Sequence, residues 1–149
     1  MTCPELTYDR RLFGFDIPNK KITIIGSGNT PISWTSRKDI AHFLAYTLTH
    51  SPIDKLNNAA LHVEGERLSY LQVAQAVADE FNDGKPFEIV HTSAEEAEVK
   101  VKTDPNGAVV EFINLAAEKG WLNNKQVDNG LVPGWRAQTF REGLKDASA

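Results

Sequence analysis

The chain has 149 residues and one cysteine, Cys3. No disulfide can close within it, and a lone thiol with no neighbouring His to activate it fits a reducing compartment. No basic block is longer than a pair such as Arg10-Arg11 or Lys20-Lys21, and the net charge is −4. Nucleic-acid binding relies on clustered Lys and Arg that displace condensed counterions, so that class of partner is excluded. No apolar run approaches the roughly 20 residues of a membrane helix. Glu5, Asp9, Arg10, Arg11 and Asp16 leave no apolar signal-peptide core near the start. The expectation is a cytoplasmic protein that meets neither membrane nor nucleic acid.

The usual catalytic patterns are missing too. A tyrosine activated by a lysine four residues along a helix serves ordinary short-chain dehydrogenases. Here Tyr8, Tyr46 and Tyr70 are followed at that spacing by Leu12, His50 and Ala74. His42, His50, His62 and His91 include no i,i+4 pair and no His-Glu-x-x-His, so no metal site is expected. Ser27 in Gly26-Ser27-Gly28 lacks the flanking pattern of a nucleophile elbow. The run Ile24-Ile25-Gly26-Ser27-Gly28-Asn29-Thr30-Pro31 opens like a dinucleotide loop. That loop needs a third small residue and then a helix facing the pyrophosphate. Pro31 stands at the third position and a strand-like alternation follows, so a turn is expected rather than a cofactor site.

What is present is an alternation of strand and helix signals. Ile22 to Ile25 and Ile32 to Thr35 flank a Gly-rich turn and predict a hairpin over 22–35. Ser36 lies three residues before Asp39 and predicts a helix start, with Ile40, Phe43, Leu44 and Leu48 at helical spacing and a stop at Ser51-Pro52. Leu61-His62-Val63 reads as a short strand. Ser69 with Gln72 and Ser93 with Glu96 form capping boxes. The first opens a helix with Tyr70, Val73, Ala74, Val77 and Phe81 on one face and Gly84 at its end. Phe87, Ile89 and His91 alternate as a strand. Glu96–Lys100 and Glu98–Lys102 are favourably ordered i,i+4 pairs. Asp104-Pro105 predicts a helix start with Val109, Phe112, Ile113 and Ala116 inward. Thr139 and Glu142 cap a last helix. The fold class is α/β: small mixed sheets, a β-hairpin and about four to five helices in one domain over residues 1–149.

Trp34, Thr35, Ser36 and Arg37 form the candidate substrate-pocket segment. Trp34 reads as core or as pocket wall. Arg37 and Asp39 stand at a helix start, where the backbone field favours an anion; the plainer reading is that Asp39 caps the helix and Arg37 is solvated. Trp121 and Trp135, beside Gly120 and Gly134, read as loop anchors.

The order of these motifs resembles the C-terminal, substrate-side half of NmrA-like and isoflavone-reductase-like proteins, a branch of the atypical short-chain dehydrogenases. Ile24-Ile25-Gly26-Ser27-Gly28-Asn29 followed by Ile32 to Ile40 is similar to the family's strand–GDGN–strand–EDIG pattern, with Ser27 where Asp is usual. Leu61 to Gly65 followed by Leu68-Ser69 resembles its last Rossmann strand and the next helix, and Pro133-Gly134-Trp135 before Thr139-Phe140 resembles the tail of fungal members. The resemblance implies an NADP(H)- or NAD(H)-dependent family acting on small aromatic or carbonyl substrates, with some members regulatory. It also implies that the nucleotide-binding half, with its glycine loop and lysine, is not in this chain. No catalytic or cofactor-binding residue is therefore expected here. The roles open are an inactive substrate-side part and a non-catalytic interaction module. An unpaired edge at Leu61–Val63 would favour self-association.

Overall fold

The computed structural model describes residues 13–148, and Cys3 lies outside them. In chain order the elements are β1 (Phe15–Asp16), β2 (Lys21–Ile25), β3 (Ile32–Trp34), α1 (Arg37–His50), α2 (Ile53–Leu56), β4 (Glu66–Leu68), α3 (Tyr70–Phe81), β5 (Glu88–Thr92), α4 (Ala94–Thr103), α5 (Val109–Glu118) and α6 (Phe140–Ser148). The class is the expected α/β one. The extra helix is α2, a single turn too short to carry a periodic signal.

The expected hairpin over 22–35 does not form. β2 pairs antiparallel with β1 and parallel with β5, so both of its edges are taken. β3 pairs antiparallel with β4 in a separate two-stranded sheet, Ile32 opposite Leu68 and Trp34 opposite Glu66. The Gly-rich turn leads the chain out of one sheet into the other. The hairpin lies one element earlier, at β1–β2, where the Asp16 carboxylate accepts from Asn19 N (3.2 Å) and Nδ2 (2.7 Å) to fix the turn.

Leu61-His62-Val63 is not a strand either. His62 N donates to Asp128 Oδ2 (2.8 Å) and Glu64 N to Asn129 Oδ1 (3.1 Å). The His62 carbonyl accepts from Asp128 N (2.7 Å). Loop groups satisfy the backbone where a ladder would.

The helices start where the caps predict. Ser36 Oγ accepts from Asp39 N (3.0 Å), and full capping boxes form at Ser69–Gln72 and Ser93–Glu96. Thr139 and Glu142 exchange the same pair of bonds at α6. α5 is the exception. Asp104 Oδ1 accepts from Gly107 N (2.9 Å) in a turn, and the helix begins only at Val109. Its inward residues are Asn114, Leu115, Ala116 and Ala117, whereas Val109 and Phe112 are each 49% exposed. Glu111, Asn114 and Glu118 make a polar stripe at i, i+3 and i+7, yet Asn114 is buried on Tyr70, so burial in α5 follows position along the helix rather than the spacing. In α1, Phe43 is buried but Leu44 and Leu48 are not, and Thr47 takes the inward place. Thr47 Oγ1 donates back to the Phe43 carbonyl (2.8 Å), which lets a hydroxyl be buried there.

The main core gathers around Trp34. Its ring meets Phe13, Tyr70 and Phe140 edge-on at centroid distances of 5.7, 6.1 and 5.4 Å. Its Nε1 donates to the Leu68 carbonyl (3.0 Å). Ile22, Ile24, Val73, Val77 and Leu144 complete the cluster. Beside it, three segments cross at Gly65. Gly65 N donates to the Trp34 carbonyl (2.8 Å), and a Cβ there would stand 2.6 Å from the Gln138 carbonyl oxygen.

Three successive amides before and at the start of α6 each reach a different carboxylate. Gln138 N donates to Asp39 Oδ2 (3.0 Å), Thr139 N to Glu142 Oε2 (2.7 Å) and Phe140 N to Glu66 Oε2 (2.8 Å). Asp39 therefore does more than start α1: its carboxylate ties α1 to the chain entering α6. Trp135 lies against His42 and Phe43 at ring distances of 5.4 and 6.1 Å and anchors its loop as expected. Trp121 does not anchor a loop, being 64% exposed with Lys119 Nζ over its ring at 5.5 Å.

Candidate functional site

Strand alternation divides β2. Ile22 and Ile24 enter the main core, while Thr23 and Ile25 face the other way. On that second side α4 and α5 lie over the β1–β2–β5 sheet, joined by a small cluster of Ile25, Ala97 and Leu115. The packing is incomplete and leaves a cleft of about 670 Å³. Ile25, Ala97 and Val110 supply apolar wall, and Asn19, Thr23, Thr92 and Asn114 supply neutral polar groups, while the Phe15 side chain turns into the main core. Asp16, Glu96, Lys100 and Glu111 are the charged residues of the lining.

Several polar members are held by their own element or a neighbour. Tyr70 donates its hydroxyl to Asn114 Oδ1, and both side chains are buried. Burial pushes the Tyr70 phenol well above its usual value, so it stays neutral and is no acid–base group near neutrality. With its oxygen held, Asn114 keeps amide donors for the cleft. Glu96 is bound to Ser93 N in the α4 cap (3.3 Å). Lys100 does not pair with Glu96, as the i,i+4 spacing predicts. It reaches across to Glu111 on α5 and holds that carboxyl below its ordinary value. The expected Glu98–Lys102 pair is present at 4.0 Å, with Lys119 closer to Glu98 at 2.6 Å.

The Gly-rich turn has a different occupant from the one its sequence suggests. Gly26 and Gly28 adopt φ of +70° and +69°. Ser27 N donates to Glu118 Oε1 (2.9 Å), and Thr30 Oγ1 to the Glu118 carbonyl (3.1 Å). A Cβ on Gly26 would strike the Glu118 side chain at 2.5 Å. A carboxylate from α5 fills the space, and β3 rather than a helix follows. These residues do not fit a pyrophosphate.

Trp34, Thr35, Ser36 and Arg37 do not line the cleft. Trp34, Thr35 and Ser36 are 1–2% exposed, Thr35 Oγ1 donating to the Val63 carbonyl (2.9 Å) and Ser36 Oγ to Asp39 Oδ2 (2.6 Å). Arg37 is exposed. Trp34 backs the cleft at one remove, through Tyr70 and Asn114. The lining residues on α4 and α5 were missed because their sequence signals are caps and ion pairs. His42 and His50 do not converge: His42 stacks near Trp135 and His50 on Tyr46, 4.1 Å between ring centroids. Among the described residues no three His, Cys, Asp or Glu side chains are placed to hold a metal ion, and no helix is long and apolar enough to cross a membrane.

The fold is that of part of the NAD(P)-binding reductases related to isoflavone reductase, as the order of sequence motifs implies. AtPrR2 with NADP+ and (+)pinoresinol superposes with a TM-score of 0.75 at 18% identity, over 99% of this chain and 49% of that one. The leucoanthocyanidin reductase–NADPH complex from Vitis vinifera gives a TM-score of 0.67 at 18% identity, over 85% of this chain and 44% of that one. Isoflavone reductase gives 0.66 at 19% identity, over 85% and 43%. The chain thus spans just under half the length of these solved structures. No protein-family model and no curated protein matches it.

Proposed function

We propose that this chain is the substrate-side part of an NAD(P)-dependent reductase, that its cleft receives a small aromatic or carbonyl substrate, and that the chain alone transfers no hydride. The observation that carries the reading is the cleft itself. Ile25, Ala97 and Val110 give a ring an apolar wall, and Thr23, Thr92 and Asn114 give its hydroxyl or carbonyl groups partners. These groups bind and orient; none is an activated nucleophile or a base. NADP(H) or NAD(H) belongs in this reading to the rest of such a fold, because the one Gly-rich turn is filled by Glu118. In the 34–37 segment Trp34 supports the lining from behind, through Tyr70 and Asn114.

The test uses the whole 149-residue chain. Titration with 4-hydroxybenzyl alcohol, followed by amide NMR, is expected to move Thr23, Ile25, Thr92 and Asn114. Shifts confined to other regions overturn the cleft assignment. Calorimetry with NADPH is expected to show no micromolar binding, and tight binding would overturn the division of labour.

A second reading, a non-catalytic regulatory or interaction module, is favoured by one surface. Leu44, Leu48 and Ile53 on α1 and α2 are 53, 63 and 87% exposed. An apolar row of that kind favours association with another protein or a second copy.

A further inference from the structure

Three side chains in the cleft lining carry nitrogen donors: Asn19, Lys100 and Asn114. Two are already engaged. Asn19 Nδ2 donates to Asp16 Oδ2 (2.7 Å), and Lys100 Nζ donates to Glu111 Oε1. Asn114 differs. Its side chain makes one hydrogen bond among the described residues, in which Oδ1 accepts from the Tyr70 hydroxyl. Tyr70 is 4% exposed, and its hydroxyl has no other acceptor among the described residues. Burial keeps this phenol protonated, and a buried proton left unpaired is costly. Reversing the amide would set an N–H against that O–H and orphan the proton. The phenol therefore fixes which end of the amide faces the cleft, and that end is the NH2 group. Among the described residues Asn123 Oδ1 is the one fully buried side-chain polar atom without a partner. Asn114 Nδ2, equally unpartnered, is therefore open to solvent. The residue as a whole is 3% exposed and lines the cleft, so the opening is into the cleft. An amide nitrogen can only donate, whereas the Thr23 and Thr92 hydroxyls can donate or accept.

We propose that Asn114 Nδ2 is the donor that selects the ligand, favouring an aromatic molecule with a carbonyl oxygen at that point over one with a hydrocarbon group, and that Tyr70 positions it. The inference rests on reading the cleft as the ligand site and narrows its ligand class. A ligand without an acceptor strips water from Asn114 Nδ2 and returns no hydrogen bond. Asn114 touches the ligand. Tyr70 acts through Asn114 from the core side, where its ring meets Trp34 at 6.1 Å.

The experiment titrates 4-hydroxyacetophenone and 4-ethylphenol into the whole chain, with dissociation constants read from amide NMR shifts. The probes differ by a carbonyl oxygen at one carbon. The phenol oxygen they share is a weak acceptor, its lone pair drawn into the ring. The ketone is expected to bind at least about fivefold more tightly. It is also expected to move the Asn114 NH2 proton signals downfield, which ethylphenol does not. Tyr70→Phe releases the amide and is expected to cut the ketone-to-ethylphenol affinity ratio at least about threefold. The double variant Tyr70→Phe with Asn114→Leu replaces both partners of the bond by apolar groups, which a fold tolerates better than the loss of one, and is expected to bring the ratio to about one or below. It keeps the test decisive if Tyr70→Phe fails to fold. Equal binding of the two probes, or a ratio unmoved in the double variant, overturns the donor assignment while the cleft reading stands. A ratio that falls in the double variant but not in Tyr70→Phe overturns the positioning role of Tyr70. Binding of neither probe overturns the cleft reading and this inference with it.

Discussion

On one face of β2, Ile22 and Ile24 are at most 1% exposed and sit among Trp34, Val73, Val77 and Leu144. On the other face, Thr23 and Ile25 look onto a cleft bounded by α4 and α5. The same five residues of strand thus contribute to a filled core and to an open one. The difference lies in what covers them. The filled side has three rings meeting Trp34 edge-on, with α3 and α6 closing over it. The open side has an edge strand, β5, whose residues are half-buried or exposed, and two helices held to each other by ion pairs. The first side is packed and the second leaves a cleft, with Tyr70–Asn114 joining them.

Substitutions should separate the two sides by size of effect. Trp34→Ala strikes the filled side and should cost about 3–5 kcal/mol in urea unfolding. A loss under about 1 kcal/mol would mean that the rings around Trp34 are not the packed centre. Tyr70→Phe removes the link, leaving the buried Asn114 oxygen without its donor, and should cost about 1–3 kcal/mol. Asp39→Ala should cost a comparable amount, because the Gln138 amide and the Ser36 hydroxyl lose their acceptor. A loss equal to that of an ordinary exposed residue would show that the tie between α1 and α6 is dispensable.

Acid probes the filled side through α6. Arg136, together with the Thr139 amide and hydroxyl, lowers the Glu142 carboxyl from 4.5 to about 2. A carboxyl whose folded value lies below its unfolded one stabilises the fold above the unfolded value and loses that contribution as pH falls through the folded one. Stability should therefore decline between about pH 4.5 and about pH 2, with a change in tryptophan emission as Phe140 leaves Trp34. Glu142→Gln should flatten that decline, and an unchanged profile would count against the assignment. The smallest effect belongs to the open side. Lys100→Gln, at a largely exposed ion pair, should move the melting temperature by no more than about 2 °C, and a larger shift would show that the pair holds α4 on α5.

The sequence made local structure legible and long-range pairing largely not. Ser36, Ser69, Ser93 and Thr139 mark helix starts because a cap is a contact over three residues, complete within its own segment. The partner of β2 is different in kind. Nothing within 22–35 says that β2 already has β1 and β5 on its two edges, so a turn flanked by strands reads as a hairpin. Leu61-His62-Val63 misleads in the same way, since Asp128 and Asn129, more than sixty residues on, bond its backbone. The cleft escaped for a related reason. Glu96, Lys100 and Glu111 look like solvated helix faces until α4 and α5 are folded against β2. The segment 34–37 was legible as strand and cap, yet its burial depends on α6 and the loop before it.

The crossing at Gly65 bears on how relatives of this chain should be compared. A side chain there would collide with the Gln138 carbonyl oxygen and crowd the Trp34 carbonyl oxygen, 2.6 and 3.1 Å from the added carbon. Both obstacles are main chain, so no neighbour can swing aside to make room. A glycine that never changes at this position would record a traffic constraint between three backbone segments and say nothing about chemistry. Constancy at Thr23 or Thr92 would carry the opposite message, because among the described residues no side-chain bond fixes those positions.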